Sequence, residues 1–446
     1  MNIRITQSAL AAVVLCAGLA SMHTVSAEDR QAPVTLDKRV VGAFNAIELA
    51  GPFRVIVSEG APRLELSGEP KQLAEIETEV RNGTLLVRQR SRSSFGIHWG
   101  KRDHAEVVVR IGATGLKSLT NSGSGEVELE SVGGERFVLS SQGPGDIRAR
   151  GGVRELNVTS GGSGDVDLRQ VKASNVALTL SGPGDVRLGA VSNELSAHMS
   201  GAGDLEALEL RLTRAVAQIS GPGNAKLRGN ARELRAELSG SGDLDACEMQ
   251  VEKVSSTQRG PGNACVAGNI RQFEAEVNGS GDLEARGLQA ARAVLRMNGP
   301  GSATLTGTAD ELRANLNGSG ELDASGLTVR NALVDSGGPG DVSLARVTDT
   351  LEGSLHGSGD LRATIEGKRV MLKMRGPGSV QLDGRAERIS AELSGSGTLH
   401  ARRLTVRQTD INVRGPGSAT VNLVRDGAGR PDELVLVERG GRRQAD

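Results

Sequence analysis

The chain has 446 residues and a formal net charge of −1 at pH 7, because 53 Lys and Arg residues nearly balance 54 Asp and Glu residues. This balance argues against the strongly basic surface of a nucleic-acid-binding protein and against an acidic interaction tail. Aromatic residues are scarce, with no Tyr, one Trp and five Phe. Because grooves for sugars or bases usually stack their ligands on aromatic rings, the composition also argues against a groove of that kind.

The N-terminus has the three parts of a secretory signal peptide, which we expect to span residues 1–27. Arg4 supplies the positive charge, residues 9–19 form an apolar run, and residues 25–27 (Val-Ser-Ala) form a small-residue cleavage site. The mature chain should therefore begin near Glu28 and be exported to the periplasm, the outer-membrane surface or the extracellular space. No later stretch approaches the ~20 apolar residues of a membrane-spanning helix.

Residues 28–112 are expected to form an irregular β cap. An Asn-Gly turn at residues 82–83 indicates a hairpin, and residues 70–79 predict a short helix. Runs of alternating apolar residues predict strands at 46–49, 53–57, 63–66, 85–87 and 105–109.

Residues 91–104 interrupt this pattern and gather the one Trp, a Phe, two His and three cations. We interpret this segment as a flap that covers the edge of the cap, and the alternative is a partner-binding loop. A metal site at His98 and His104 is not favoured, because no third ligand follows nearby.

A Gly-x-Gly turn then recurs every 19 or 20 residues, and its middle residue alternates strictly between a small residue and Pro. A short fixed period of glycine turns between alternating apolar residues is typical of a β-solenoid. We therefore predict a regular β-helix over residues 113–422, followed by a C-terminal cap strand and basic tail over 423–446. The first glycines are Gly123, Gly143, Gly162, Gly182, Gly201, Gly221, Gly240, Gly260, Gly279, Gly299, Gly318, Gly338, Gly357, Gly376, Gly395 and Gly415.

Three motifs before the repeat make the sequence resemble the bacterial head GIN domain family of auto-transporter adhesins. They are Val-Gly-Ala-Phe at 41–44, Gly-Pro-Phe-Arg-Val at 51–55 and Asn-Gly-Thr-Leu at 82–85, followed by tandem Ser-Gly-Ser-Gly-Asp-Leu turns. The resemblance covers the chain from about Val40 to the last repeats. It implies an all-β, single-stranded right-handed parallel β-helix like that of pectate lyases, without the catalytic residues of those enzymes.

The side chains that follow each glycine turn indicate how many residues form one rung, meaning one full coil of the solenoid. The two possibilities are about 20 residues and 39 residues. Four places after the first glycine, Leu in one copy alternates with Ala or Val in the next, as in Leu205, Ala225 and Leu244. Six places on, the order reverses, as in Ala207 and Leu227. Stacking successive copies would place large side chains over small ones at normal packing density, which favours the rung of about 20 residues.

The outward residues five places after the glycine support the same conclusion. Their charges alternate in sign, so neighbouring rungs would place opposite charges side by side. We interpret them as a cross-rung charge ladder and not as a binding surface. They are Glu128, Arg148, Asp167, Arg187, Glu206, Lys226 and Asp245.

Three places after the glycine, most copies carry Asp, Asn, Glu, Ser or Thr. We expect most of these side chains to bond the backbone of their own turn. The first five are all acidic and would form an unbroken column, whose repulsion a bound cation could relieve. This column is our candidate site for weak calcium or a cationic partner: Glu126, Asp146, Asp165, Asp185 and Asp204.

Cys247 and Cys265 are the cysteines that remain after the signal peptide, on outward positions of adjacent rungs. An oxidising compartment favours a disulfide. However, a two-residue diagonal would separate their Cα atoms by roughly 8 Å, beyond the ~7 Å limit of a relaxed bridge.

The sequence has no Gly-x-Ser-x-Gly, His-Glu-x-x-His or Cys-x-x-Cys motif, so we predict neither catalytic residues nor a bound cofactor. Our functional hypothesis is a non-catalytic envelope or secreted adhesin or scaffold. Its partner would be a cell-surface polymer, a carbohydrate or an envelope protein, and not a nucleic acid. The alternative is a calcium-dependent polysaccharide lyase or hydrolase, since Arg148 and Arg187 lie two residues from Asp146 and Asp185.

Overall fold

The computed structural model describes residues 34–90, 106–424 and 432–437. These residues form a β-solenoid with one short helix, and the rung takes roughly 20 residues, which confirms the predicted fold class. The signal peptide, the segment with His98 and His104, and the basic tail lie outside the described residues.

The N-terminal strands are short and irregularly connected. Strands β2 and β3 start the stack, because β2 pairs in parallel with β6 and β8 while β3 pairs in parallel with β7 and β9. Antiparallel pairs β1–β4 and β4–β7 cover this end. The elements are β1 Thr35–Arg39, β2 Ala46–Ala50, β3 Arg54–Glu59, β4 Arg63–Gly68, α1 Pro70–Leu73, β5 Ile76–Arg81, β6 Thr84–Gln89, β7 Val108–Ala113, β8 Ser118–Asn121, β9 Val127–Val132 and β10 Arg136–Ser141.

The helix predicted at residues 70–79 is much shorter than expected. Only Pro70–Leu73 is helical, and Ile76–Arg81 forms strand β5. The Asn-Gly turn explains the difference, because Asn82 (φ 52°) and Gly83 (φ 76°) adopt the positive φ values of a tight hairpin turn. That hairpin pairs β5 with β6 in an antiparallel ladder that the local helical pattern does not reveal.

From β11 to β25 each strand pairs in parallel with the next, one rung later. The full rungs are single strands of 14 to 16 residues that bend near the middle, where the register shifts. They are β11 Ile147–Ser160, β12 Val166–Leu180, β13 Val186–Met199, β14 Leu205–Ile219, β15 Ala225–Leu238, β16 Leu244–Gln258, β17 Ala264–Val277, β18 Leu283–Met297, β19 Ala303–Leu316, β20 Leu322–Ser336, β21 Val342–Leu355, β22 Leu361–Met374, β23 Ser379–Leu393 and β24 Thr398–Val413.

Each bent strand therefore has two faces. In β22, for example, the first face follows the glycine turn over residues 361–366, and the second face precedes the next turn over 369–374. The bend often contains a glycine with positive φ, such as Gly229 (φ 126°) or Gly384 (φ 101°). The stack ends at β25 Ser418–Leu423, on which β26 Asp432–Val437 pairs in an antiparallel ladder.

Glycine is required in the turns mainly for space. A Cβ atom on Gly281 would lie 2.0 Å from the carbonyl oxygen of Gly262 one rung earlier, and a Cβ on Gly301 would lie 2.2 Å from that of Gly281. Of the two glycines in each Gly-x-Gly turn of the described repeat, only Gly415 has a positive φ. The backbones of successive turns thus approach more closely than any side chain allows.

The core confirms the predicted stacking of large over small side chains. Leu205 lies opposite Ala225 and Ala225 opposite Leu244, while Ala207 lies opposite Leu227. These side chains are at most 2% exposed. Buried aliphatic residues from both faces fill most of the narrow interior, and the aromatic core residues among the described part of the chain are Phe44, Phe53, Phe137 and Phe273.

A disulfide joins Cys247 to Cys265 in adjacent rungs, and their Cα atoms are 5.2 Å apart. The distance of roughly 8 Å expected from a flat ladder was wrong. Cys265 lies opposite Asp245, and the register breaks directly after Ala246, so the bend brings Cys247 closer than a regular diagonal would.

We predict that Gly281→Ala destabilises the protein, because its methyl group would overlap the Gly262 carbonyl oxygen. Overpacking of this kind costs about 1–3 kcal/mol. Chemical denaturation should show this loss. Gly133→Ala is the control, since no heavy atom lies within 4 Å of its added Cβ, and an equal effect of both variants would contradict the spatial explanation.

We also predict that the double variant Cys247→Ser, Cys265→Ser is less stable by about 3 kcal/mol, the usual value for closing a loop of this length. The two cysteines are 18 residues apart. Thermal unfolding with and without reductant provides the control. Reductant should lower the wild-type midpoint to that of the variant and leave the variant unchanged, whereas equal midpoints without reductant would show that the bridge contributes nothing.

Candidate functional site

The acidic residues of the candidate cation column lie in successive rungs, and the carboxylates of its four Asp residues accept backbone N–H groups of the next rung. Asp146 Oδ1 accepts the N–H of Asp165 at 2.9 Å, Asp165 Oδ1 accepts that of Asp185 at 3.0 Å, and Asp185 Oδ1 accepts that of Asp204 at 3.0 Å. We had expected bonds within the same turn, so this expectation was wrong. The backbone N–H of the same position one rung later lies within hydrogen-bond distance of each carboxylate and is therefore its partner.

The same bond continues up the stack with Asn and Asp in turn. Asp204 Oδ1 accepts the N–H of Asn224 at 2.7 Å, and Asn224 Oδ1 accepts that of Asp243 at 3.0 Å. Near the other end, Asp341 Oδ1 accepts the N–H of Asp360 at 2.9 Å. A short side chain with an acceptor oxygen is therefore needed here for structural reasons.

Arginines compensate part of the negative charge of the column. Arg187 bonds Asp165 Oδ2 at 3.1 Å and Asp185 Oδ2 at 3.3 Å, and Arg148 bonds Glu126. Cation binding by Glu126, Asp146, Asp165, Asp185 and Asp204 stays a prediction. Among the described residues, three ligand atoms within 4.8 Å of one another occur at Cys247, Cys265 and Glu284, where the two sulfurs are already joined.

The charge ladder has the predicted register but different ion pairs. Arg148 lies opposite both Glu128 and Asp167, and Asp167 lies opposite Arg187. The closest contacts are nevertheless diagonal or along the strand: Arg150 bonds Glu128 at 2.7 Å and Arg169 bonds Asp167 at 2.6 Å. The hydrogen bond from Arg169 holds the pKa of Asp167 below its usual value.

On the second face, Glu311 is the centre of a three-residue ion cluster. Arg292, directly opposite it on β18, bonds its carboxylate at 2.9 Å, and Arg313 bonds it from two residues along the same strand. Hydrogen bonds from Arg313 and then Arg292 hold the pKa of Glu311 below its usual value. This cluster therefore stabilises the ionised carboxylate.

Shallow clefts lie between the outward side chains on both faces. One, of about 480 Å³, is lined on the first face by Glu128, Arg148 and Asp167 and their neighbours. Another, of about 420 Å³, lies on the second face near the C-terminal end and is lined partly by Arg369 and Arg388. The second cleft was not predicted from the sequence. Its lining residues precede a glycine turn, whereas the predictions used the residues that follow each turn.

A family model described as "Putative auto-transporter adhesin, head GIN domain" matches residues 43–208, 191–271, 265–364 and 348–427. These overlapping matches cover most of the chain. The chain belongs to this family. The resemblance expected from the N-terminal motifs is thereby confirmed, and no curated protein matches the chain.

Solved structures of bacterial proteins are also similar to this head GIN domain chain. A proposed adhesin from Bacteroides fragilis is 18% identical with a TM-score of 0.36, over 57% of this chain and 97% of that one. A proposed adhesin from Parabacteroides distasonis is 15% identical with a TM-score of 0.30, over 79% and 97%. Similarities this low carry no functional argument. Within the described residues, no helix is both long and apolar enough to cross a membrane.

We predict that Glu311→Gln lowers stability by about 0.5–1 kcal/mol at pH 7, the usual value for exposed ion pairs. A carboxyl with a lowered folded-state pKa stabilises the fold above its unfolded pKa of about 4.3 and loses this effect as the pH falls through the folded pKa. The difference between wild type and variant should therefore vanish in acid. Denaturation at several pH values measures it.

The control for this titration is Glu130→Gln. Glu130 is exposed and has no ion pair among the described residues, so its substitution should change stability little at any pH. A Glu311→Gln effect that persists unchanged well below pH 4 would show that packing, and not charge, is responsible.

Proposed function

We propose that the chain is a non-catalytic adhesin or binding scaffold of the bacterial cell envelope. It would be exported with the help of residues 1–27 and present its outer faces to a cell-surface polymer, a carbohydrate or an envelope protein. The observation that carries this proposal is membership of the head GIN domain family over nearly the whole repeat. The charged, shallow outer surface supports contact with an extended partner more than enclosure of a small substrate.

The geometry of the stack suits such a role. Parallel pairing continues without interruption from β10 to β25, so each rung is hydrogen-bonded to the rung before it and the rung after it. At a spacing of ~4.8 Å, the fifteen steps between glycine turns make the regular part about 70 Å long. A rod of this kind presents the same outward rows at regular intervals along a polymer.

The alternative, a polysaccharide lyase or hydrolase, receives no support from the contacts of its candidate residues. Arg187 is engaged by Asp165 and Asp185, and Arg148 by Glu126. A general base must reach substrate, and these guanidinium groups are already held by carboxylates. We therefore favour binding without turnover.

We predict that cells lacking the chain attach less well to their natural surface, and that protease treatment of intact cells removes both the chain and the attachment. An immunoblot of treated and untreated cells follows the chain, and cell counts follow attachment. Complementation with the wild-type chain is the control.

A second complementing variant tests whether the rungs themselves mediate attachment. Deletion of residues 279–317 joins one serine-type turn to the next, so the stacking of large over small residues is kept. The variant should fold, as judged by circular dichroism, and attach less well because its surface is shorter. Unaltered attachment of cells without the chain would contradict the adhesin proposal, and protection from protease would indicate an internal scaffold.

A further inference from the structure

Charges on neighbouring rungs follow a rule in the described strands, and one pair breaks it. Directly opposed charged residues carry opposite signs, as Arg136 and Glu155 or Arg292 and Glu311 do. The exception is Arg369 on β22, which lies directly opposite Arg388 on β23. This pair is in the same outward row of the second face as the two opposite-sign pairs just named.

Neither arginine forms an ion pair with a carboxylate among the described residues. Arg388 donates from Nε to the neutral Oε1 of Gln408 at 2.9 Å, and Arg369 has no hydrogen bond or ion pair to any described residue. Like charges directly opposite each other on adjacent strands destabilise a sheet. A local rule broken without a compensating contact is typical of a functional site.

The pair lies in a cleft of about 420 Å³. Met371 is 38% exposed and offers an apolar surface two residues along from Arg369, directly opposite Ser390 on the next rung. Asp410 lines the cleft one rung further on, opposite Ser390. The cleft thus places two guanidinium groups beside an apolar patch, a hydroxyl and a carboxylate.

This set of groups fits one kind of anion. Two planar guanidinium groups recognise a carboxylate through paired charge-assisted hydrogen bonds. Asp410 would repel a densely charged polyanion but could accept hydrogen bonds from sugar hydroxyls next to a single carboxylate. The described residues that line the cleft include no aromatic ring on which a sugar could stack, so binding here would be ionic.

We propose that Arg369 and Arg388 form an anion subsite for the carboxylate groups of an acidic polysaccharide, such as a uronic-acid polymer. This inference rests on the proposed adhesin function and names the chemical class of its ligand. The solenoid keeps the repulsive pair in place because packing on both sides fixes β22 and β23, and a bound carboxylate would compensate one of the two positive charges. Stability is reduced at this site in exchange for affinity.

The test is the variant Arg369→Glu in the full chain. It recreates at this position the arrangement of Arg292 and Glu311, so the thermal unfolding midpoint should stay equal or rise. Binding of polygalacturonate, measured by calorimetry at low salt, should weaken roughly tenfold or more, since charge-assisted contacts of this kind are lost. Dextran, which is neutral, should bind neither protein.

Arg211→Glu is the matched control, because Arg211 is exposed on β14 and its substitution changes the net charge equally. It should leave polygalacturonate binding unchanged. Equal binding by wild type, Arg369→Glu and Arg211→Glu would overturn the subsite, as would failure of the wild type to bind polygalacturonate. A fall of both binding and unfolding midpoint in Arg369→Glu would also overturn it, since the pair would then be structural.

The adhesin proposal can survive the failure of this subsite. Attachment of intact cells that depends on the chain, together with no effect of Arg369→Glu on that attachment, would leave the adhesin function standing and reject the anion subsite. Loss of attachment in Arg369→Glu, with Arg211→Glu attaching normally, would support both.

Discussion

The backbones of successive glycine turns approach each other closely, and this contact sets the position of every other residue in the stack. Each turn stacks on the previous one with a glycine facing a glycine carbonyl, at a distance where a Cβ atom would overlap. This contact holds successive turns in the same position along the stack. Once the turns are aligned, every residue at a given distance from its glycine is placed over its counterpart one rung away.

Because the turns are aligned, residues at equivalent positions of successive rungs form rows along the stack. Each row requires a particular kind of side chain. The inward rows just after the glycine turn mostly alternate large and small side chains, as at Leu283 and Ala303, whereas the inward row before the next turn stacks large on large, as at Met297 and Leu316. The row of Asp and Asn after the turn supplies an acceptor for the N–H of the next rung. Outward rows alternate charge or polarity, so a like-charge pair is conspicuous within them.

Much of this was predictable because the repeat is long enough for its rows to be compared within one sequence. The rung length followed from the order of Leu and Ala and from the signs of Glu128, Arg148 and Asp167. The short helix after Pro70 was overestimated, because a hairpin further along the chain pairs residues that look helical locally. The Cα–Cα distance between Cys247 and Cys265 was overestimated, because counting residues along two adjacent strands does not reveal the bend that brings the cysteines together. The Asp carboxylates of the acidic column have a structural role, because they accept hydrogen bonds from backbone N–H groups of the next rung. Their affinity for cations stays a prediction.

The repeat, the fold class, the family resemblance and the composition of each row follow from the amino-acid sequence, since these depend on which residue recurs at which spacing. Which residues contact each other became known from the three-dimensional structure. It showed that glycine is needed for space more than for positive φ, and that the carboxylates bond the next rung. It also placed Arg369 against Arg388, because the register of the second face differs between rungs: it shifts at the bend between β21 and β22 and stays constant between β22 and β23.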